Sequence, residues 1–239
     1  MATWTNNAQR GNPMKKTIKV GAVTIGQAPR VDITGDIRPM LAPHIELIEY
    51  GALDPFSFDE ANARFAPGEG ESVLVSRMRD GRQVTMSEEA VIPLVQDCIR
   101  RAEREGAEAT VLLCTGKFPE FSHSKLLITP QPILHALVQK LSPDKPIGLF
   151  VPDSSQIAQV KEWFSASGIA FEPVVASPYK EAELMGQRAM ALKGKDLAFV
   201  LLDCMGYGCG MKEDIYASCQ LPVILPRTYI ARLLNELFA

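Results

Sequence analysis

Two cysteines occupy matching places in this 239-residue chain, each where an apolar run gives way to a polar, glycine-containing turn. The first follows Ala109-Thr-Val-Leu-Leu and opens Cys114-Thr115-Gly116; the second follows Leu197-Ala-Phe-Val-Leu-Leu and opens Asp203-Cys204-Met205-Gly206. Such runs read as buried strands, and in an open α/β sheet ligands bind at the strands' carboxyl ends. Two thiols facing each other across one substrate can move a proton without a cofactor: one, as thiolate, removes it, and the other returns a proton to the opposite face. The same residues also admit a packing role, because free cysteine is among the most buried residue types. Cys98 and Cys219 fit that role; for Cys114 and Cys204 taken alone both readings stand.

An acid–base thiol needs its pKa moved from the ordinary value of about 8.5. The turns after Cys114 and Cys204 lead toward helical sequence, and backbone amides there can lower a thiol pKa, hold a carboxylate and stabilise the enediolate that forms when a proton leaves the neighbouring carbon. Adjacent strand residues point to opposite faces, so Asp203 is expected to face away from the thiol and serve the structure. Arg30 offers a fork for a substrate carboxylate, a helix cap or a surface ion pair, with the substrate role favoured. His123, in a loop nine residues past Cys114, either covers the cleft or is solvated; His44 and His135 read as structural. Gly206-Tyr207-Gly208-Cys209-Gly210 lacks the spacing of the dinucleotide fingerprint and serves better as a tight backbone cup beside Cys204.

Five cysteines at irregular spacings with no hydrophobic signal segment do not make a disulfide framework and point to free thiols in the cytoplasm. Cys204 and Cys209 are not accompanied by a His pair at ligand spacing, so no metal is expected. With 46% hydrophobic and 22% charged residues, the chain can bury a large core. A net charge of −3 without a long basic run argues against nucleic acid, and no apolar stretch has membrane-spanning length. The expected partner is a small carboxylate-bearing metabolite. Residues 1–13 are polar and aperiodic, which predicts a disordered extension.

From Met14 onward, strand and helix alternate. Strands are expected at Thr17–Ile25 and Ile45–Tyr50, and a hairpin at 73–87 turns at Asp80-Gly81. A helix capped near Ser87 runs to Gly106. After the first cysteine strand come a helix over 132–141, a strand over 146–152, a helix opened by Asp153-Ser154-Ser155, a strand over 171–176, a helix over 180–192 and the second cysteine strand. A closing strand, 222–226, precedes a terminal helix with Ile230, Leu233, Leu234 and Leu237 at helical spacing. This order predicts parallel sheets with helices on both faces. The expected division is 14–121 and 122–221, with 222–239 returning to the first part.

The segment Val20-Gly21-Ala22-Val23-Thr24-Ile25-Gly26-Gln27-Ala28-Pro29-Arg30-Val31-Asp32, the strand end Leu113-Cys114-Thr115-Gly116 and the segment Leu202-Asp203-Cys204-Met205-Gly206-Tyr207 together resemble the AroM family. That family lies in the aspartate/glutamate racemase superfamily, with hydantoin racemases, maleate isomerases and arylmalonate decarboxylases. The resemblance covers essentially everything after Met14. It implies two similar Rossmann-like three-layer α/β domains with parallel sheets, a site in the cleft between them, and one catalytic cysteine from each, here Cys114 and Cys204. It implies that the first polar turn touches the substrate carboxylate through Thr24, Gly26, Gln27 and Arg30. Ser154 and Ser155 would line the site from the second domain, with Thr115, Gly116, Met205, Gly206 and Tyr207 around the thiols. A homodimer is also implied. The Asp-Ser start and Cys-Asn-Thr triplet of glutamate racemases are absent, which points away from free glutamate.

The resulting expectation is a cofactor-independent racemase or isomerase of a small carboxylate. The alternatives are a cysteine-dependent decarboxylase or lyase, a maleate-isomerase-like enzyme with one nucleophilic cysteine, or a non-enzymatic regulator that binds a metabolite linked to aromatic amino acid metabolism. For the regulator, the chain carries no helix-turn-helix signal with which to act on DNA.

Overall fold

In the computed structural model, which describes residues 16–239, the first apolar run forms β1 (Ile18–Thr24), buried from Val20 onward. The extension expected over residues 1–13 and a start at Met14 lie outside the described residues. Helix α1 (Val31–Ile37) follows Arg30 and leads to β2 (Ile45–Gly51), which pairs in parallel with β1 from Ile18↔Ile45 to Thr24↔Gly51. The sequence reading missed α2 (Phe58–Phe65), although its start carries a readable sign: Ser57 and Glu60 bond each other's backbone N–H in a capping box. The expected hairpin forms from β3 (Val73–Arg77) and β4 (Gln83–Ser87), with Gly81 at the positive φ its turn requires. Ser87 accepts from the Ala90 amide and caps α3 (Glu88–Arg104).

The first cysteine strand is β5 (Ala109–Leu112), beside β1, and β6 (Leu126–Ile128) pairs with β5. Then come α4 (Pro130–Leu141), β7 (Ile147–Val151), α5 (Ile157–Ala166), β8 (Phe171–Val175), α6 (Met185–Ala189), the second cysteine strand β9 (Val200–Leu202), α7 (Cys209–Cys219), β10 (Val223–Ile224) and α8 (Pro226–Phe238). Strands β5, β7 and β9 are buried along their whole length, as parallel strands covered on both faces must be.

The two sheets have the same strand order. The first runs β2-β1-β5-β6 and the second β8-β7-β9-β10, so each cysteine strand is third, next to the strand that opens its sheet. Two details depart from the sequence reading. Strand β6, placed beyond the division at 121, belongs to the first sheet, and β10, expected to return to the first half, pairs with β9 through Val223↔Val200. Both strands are too short to carry a pattern, so pairing rather than periodicity decides where they lie. The helices that follow them cross over in both directions. Leu134 and Val138 of α4 pack against Ile147, Leu149 and Val151 of β7. Ile230, Ala231 and Leu234 of α8 pack against Val20, Ala22 and Val111 of the first sheet.

The single helix expected over 180–192 is also broken. Only α6 is α-helical, flanked by tight turns at Ala182–Leu184 and Met190–Leu192. The preceding loop is held by local side-chain bonds that compete with a helix start: Glu181 accepts from the Ser177 amide, and the Ser177 hydroxyl accepts from the Tyr179 amide. Among the described residues, no helix is long and apolar enough to cross a membrane.

Candidate active site

Past each cysteine strand the chain makes the same local arrangement. Leu113 N–H donates to the Val23 carbonyl at 2.7 Å and Asp203 N–H to the Phe150 carbonyl at 2.9 Å, so both strands are held to their neighbours up to the residue before the thiol. The amide two residues past each cysteine then turns back on the sulfur: Gly116 N–H donates to Cys114 Sγ and Gly206 N–H to Cys204 Sγ, both at 3.3 Å. Close approach favours glycine at both places. A Cβ at 116 would lie 2.6 Å from Leu74 Cδ2, and one at 206 would lie 2.5 Å from the Tyr179 hydroxyl.

Cys114 and Cys204 line one cavity, walled by Leu74 and Val75 of β3, Val151 and Pro152 at the end of β7, and Trp163 of α5. No disulfide joins them. The centre of a water-sized sphere has only about 20 Å³ in which to move there, room for about one water. A molecule of several carbons would fit there only if a wall moved. The hairpin is the wall clasped from the second half: Gln159 accepts from Val73 N–H at 2.7 Å and donates to the Val73 carbonyl at 2.8 Å, while the Ser177 hydroxyl donates to Gln83 at 2.8 Å.

Arg30, expected to offer its fork to a substrate, is 2% exposed and already fully engaged. Its Nε and one Nη hold both oxygens of Asp32 at 2.9 and 2.7 Å, and its remaining N–H groups reach Thr24, Ser76 and Tyr179 at 3.2, 3.0 and 3.2 Å. That accounts for all five guanidinium donors. Burial works against the charge of Arg30, but Tyr179 and Asp32 outweigh it and raise its pKa. Because guanidinium can only donate, the Tyr179 oxygen accepts from Arg30 and keeps its own hydrogen free for Cys204 Sγ, 3.7 Å away.

Gln27 is likewise turned inward, its amide nitrogen on the Leu53 and Phe56 carbonyls and its oxygen on Arg79 N–H. Thr24 is fully buried and accepts from Gly26 N–H and Arg30. A side chain at Gly26 would strike the Arg77 carbonyl and the Ser76 hydroxyl. The first polar turn thus braces the hairpin rather than facing the cavity. Ser154 and Ser155 are exposed in the turn that Asp153 caps. Met205 and Tyr207 are core residues, the latter donating to the Ala176 carbonyl at 2.7 Å. Of the expected residues, the cavity gathers Cys114, Thr115, Gly116 and Cys204, with Gly206 behind the second sulfur. The sequence reading missed Tyr179, Ser76, Gln156 and Trp163, none of which belongs to a motif.

The electrostatics differ from expectation. The glycine amides do pull both thiols down, but burial is the larger effect: Cys114 is pushed up to about 12, and Cys204 is raised as well. Cys204 has three groups pulling it down, the Gly206 amide, the Tyr179 hydroxyl and the Arg30 charge, against one for Cys114. Asp203 lines the same cavity as both thiols. β9 ends at Leu202, so strand alternation no longer separates neighbouring side chains there.

Burial lifts the Asp203 carboxyl to about 7, opposed by a hydrogen bond with Thr115. The folded protein thus holds this proton more tightly than the unfolded chain. The stabilisation is complete below the ordinary carboxyl value of 3.8 and is lost as pH rises through about 7. Asp203→Asn is expected to flatten the decline in melting temperature across that window, and a profile as steep as wild type would refute the burial of this carboxyl. His123 lies at the exposed edge of a separate recess, bonded to the Lys125 carbonyl, and His135 packs on Phe164. Among the described residues no group of three or more His, Cys, Asp or Glu side chains is arranged to hold a metal ion.

A family profile described as AroM protein matches residues 20–238. A search of curated proteins finds no match. Among solved structures, the chain is similar to the maleate isomerase Iso from Pseudomonas putida S16 (TM-score 0.61, 11% identity, covering 93% of each chain). It is also similar to the aspartate racemase of Picrophilus torridus (TM-score 0.57, 12% identity, 92% of this chain and 93% of that one) and to arylmalonate decarboxylase (TM-score 0.58, 14% identity, 91% and 92%). At these identities the likeness establishes the fold, which is that of the aspartate/glutamate racemases.

Proposed function

Because this chain belongs to the AroM family, we propose that it is a cofactor-independent racemase or isomerase of a small carboxylate, with Cys114 and Cys204 as its acid–base pair. The observation that carries the reading is the pair of thiols lining one cavity, each presented from the third strand of its sheet with a glycine amide on its sulfur. The thiolate on one side takes the proton from the carbon beside the carboxylate, and the thiol on the other side delivers its proton to the opposite face. The Gly206 amide, the Tyr179 hydroxyl and the Arg30 charge all favour the thiolate form of Cys204, against the larger effect of burial. The amides of Thr115 and Met205, one residue past each sulfur, donate no hydrogen bond among the described residues. Of the two, only Thr115 lines the cavity, and we assign its amide to the substrate carboxylate and to the charge that grows on it during proton transfer.

The test is solvent exchange. Wild-type protein in deuterium oxide with a panel of small chiral carboxylates is expected to incorporate deuterium beside the carboxylate of at least one member and to interconvert its enantiomers. Cys114→Ser and Cys204→Ser should each abolish interconversion while leaving exchange from at most one enantiomer. A mass adduct on one cysteine would indicate maleate-isomerase-like chemistry with a nucleophilic thiol instead, release of carbon dioxide a decarboxylase, and binding without any exchange a regulator.

A further inference from the structure

Gln156 belongs to none of the motifs above, yet it carries an unused hydrogen-bonding group at the cavity. The residue sits in the turn before α5, is 9% exposed and lines the cavity with both thiols. Its orientation is fixed by its neighbour. The amide nitrogen donates to the Val73 carbonyl at 3.1 Å, and because a carbonyl can only accept, the nitrogen end must face it. The oxygen end, Oε1, is buried and accepts no hydrogen bond among the described residues. A buried acceptor left without a donor is costly, and such groups in native proteins are few. Nothing local requires this one: the Val73 carbonyl already receives a second donor, Gln159 Nε2, at 2.8 Å, so a leucine or methionine at 156 would leave no orphan behind.

We propose that Gln156 determines specificity in this cleft: its side-chain oxygen accepts a hydrogen bond from an O–H or N–H group of the substrate, which is therefore a small carboxylate bearing a hydroxyl or amino group. This deepens the reading given above and rests on it for the identity of the cleft. A carboxylate whose other carbons carry no donor would seal the Gln156 oxygen against apolar surface. A site built around one hydrogen bond rejects an analogue that lacks it far more strongly than it rejects a missing methylene.

The test uses pairs of probes that differ by one donor: malate or aspartate against succinate, and lactate against propionate, with both enantiomers of the chiral members. Affinities are measured by calorimetric titration and thermal shift on wild type, Gln156→Met and Gln156→Leu. In wild type a donor-bearing member is expected to bind at least about tenfold more tightly than its bare partner. Both variants are expected to bring that ratio close to one without lowering the melting temperature. Equal affinity within every pair, including no binding by either member, overturns the proposal, as does a ratio that survives both substitutions. Solvent exchange by wild type is read separately. Exchange without donor discrimination sinks the role of Gln156 and leaves the racemase reading standing, while discrimination without exchange does the reverse.

Discussion

The double variant Cys114→Ala/Cys204→Ala is expected to lose turnover by roughly 10²- to 10⁴-fold while still binding the substrate. A positioned acid or base contributes about that much to a proton transfer. The loss should not be the product of two such factors, because groups that act as a unit are grossly non-additive and either single variant already breaks the relay. Binding should persist because the groups assigned to it, the Thr115 amide and the Gln156 oxygen, are not sulfur. The measurement is chiral chromatography of whichever acid shows solvent exchange, with titration calorimetry alongside. Retention of a tenth or more of wild-type interconversion in the double variant would remove these thiols from the chemistry.

The second large effect is on stability. Asp32→Ala is expected to cost about 3–5 kcal/mol, because it leaves the buried guanidinium of Arg30 without its counter-charge. The Asp32 side chain is 18% exposed against 2% for Arg30, so the burden of the uncompensated charge falls on the arginine. Replacing both partners, Arg30→Met with Asp32→Ala, should cost much less than Asp32→Ala alone, since exchanging a buried ion pair for apolar groups is often nearly neutral. Urea denaturation of the two variants decides the matter. A loss below about 1 kcal/mol for Asp32→Ala would mean that water reaches Arg30 and that its pairing is no more than a surface contact. Arg30 also bears indirectly on the proposed acid–base pair. It fixes the Tyr179 hydroxyl that faces Cys204, so the double replacement should restore stability without restoring the acidity of that thiol.

The sequence made the scaffold legible and the site only in part. The cysteine strands, the Asp80-Gly81 hairpin and the Ser87 cap could be read because each is a local pattern whose physics lies within a few residues. Arg30 could not. Its role depends on Tyr179, 149 positions away, and on Ser76, 46 away, so a residue that looks like an open fork in the chain is a closed one in the fold. Gln27 is hidden for the same reason, its three side-chain contacts being to the Leu53 and Phe56 carbonyls and the Arg79 amide, all distant in the chain. Ser154 and Ser155 were sought as substrate ligands, but the carboxylate of Asp153 takes the Ser155 hydroxyl and amide for a local turn. Asp203 was misjudged because strand alternation was carried one residue beyond the end of the strand.

The exchange of α4 and α8 bears on how the protein can come apart. Each sheet is covered on one face by a helix that enters from the other sheet's last strand, and each of those helices begins with a proline, Pro130 and Pro226, directly after the crossing residue. Neither half therefore owns a complete core. Cutting at Thr129 would strip Leu134 and Val138 from the second sheet, and cutting at Leu225 would strip Ile230, Ala231 and Leu234 from the first. Neither half is therefore expected to fold by itself. The reciprocal cover makes the loss of either half the loss of both, so melting should be a single cooperative event.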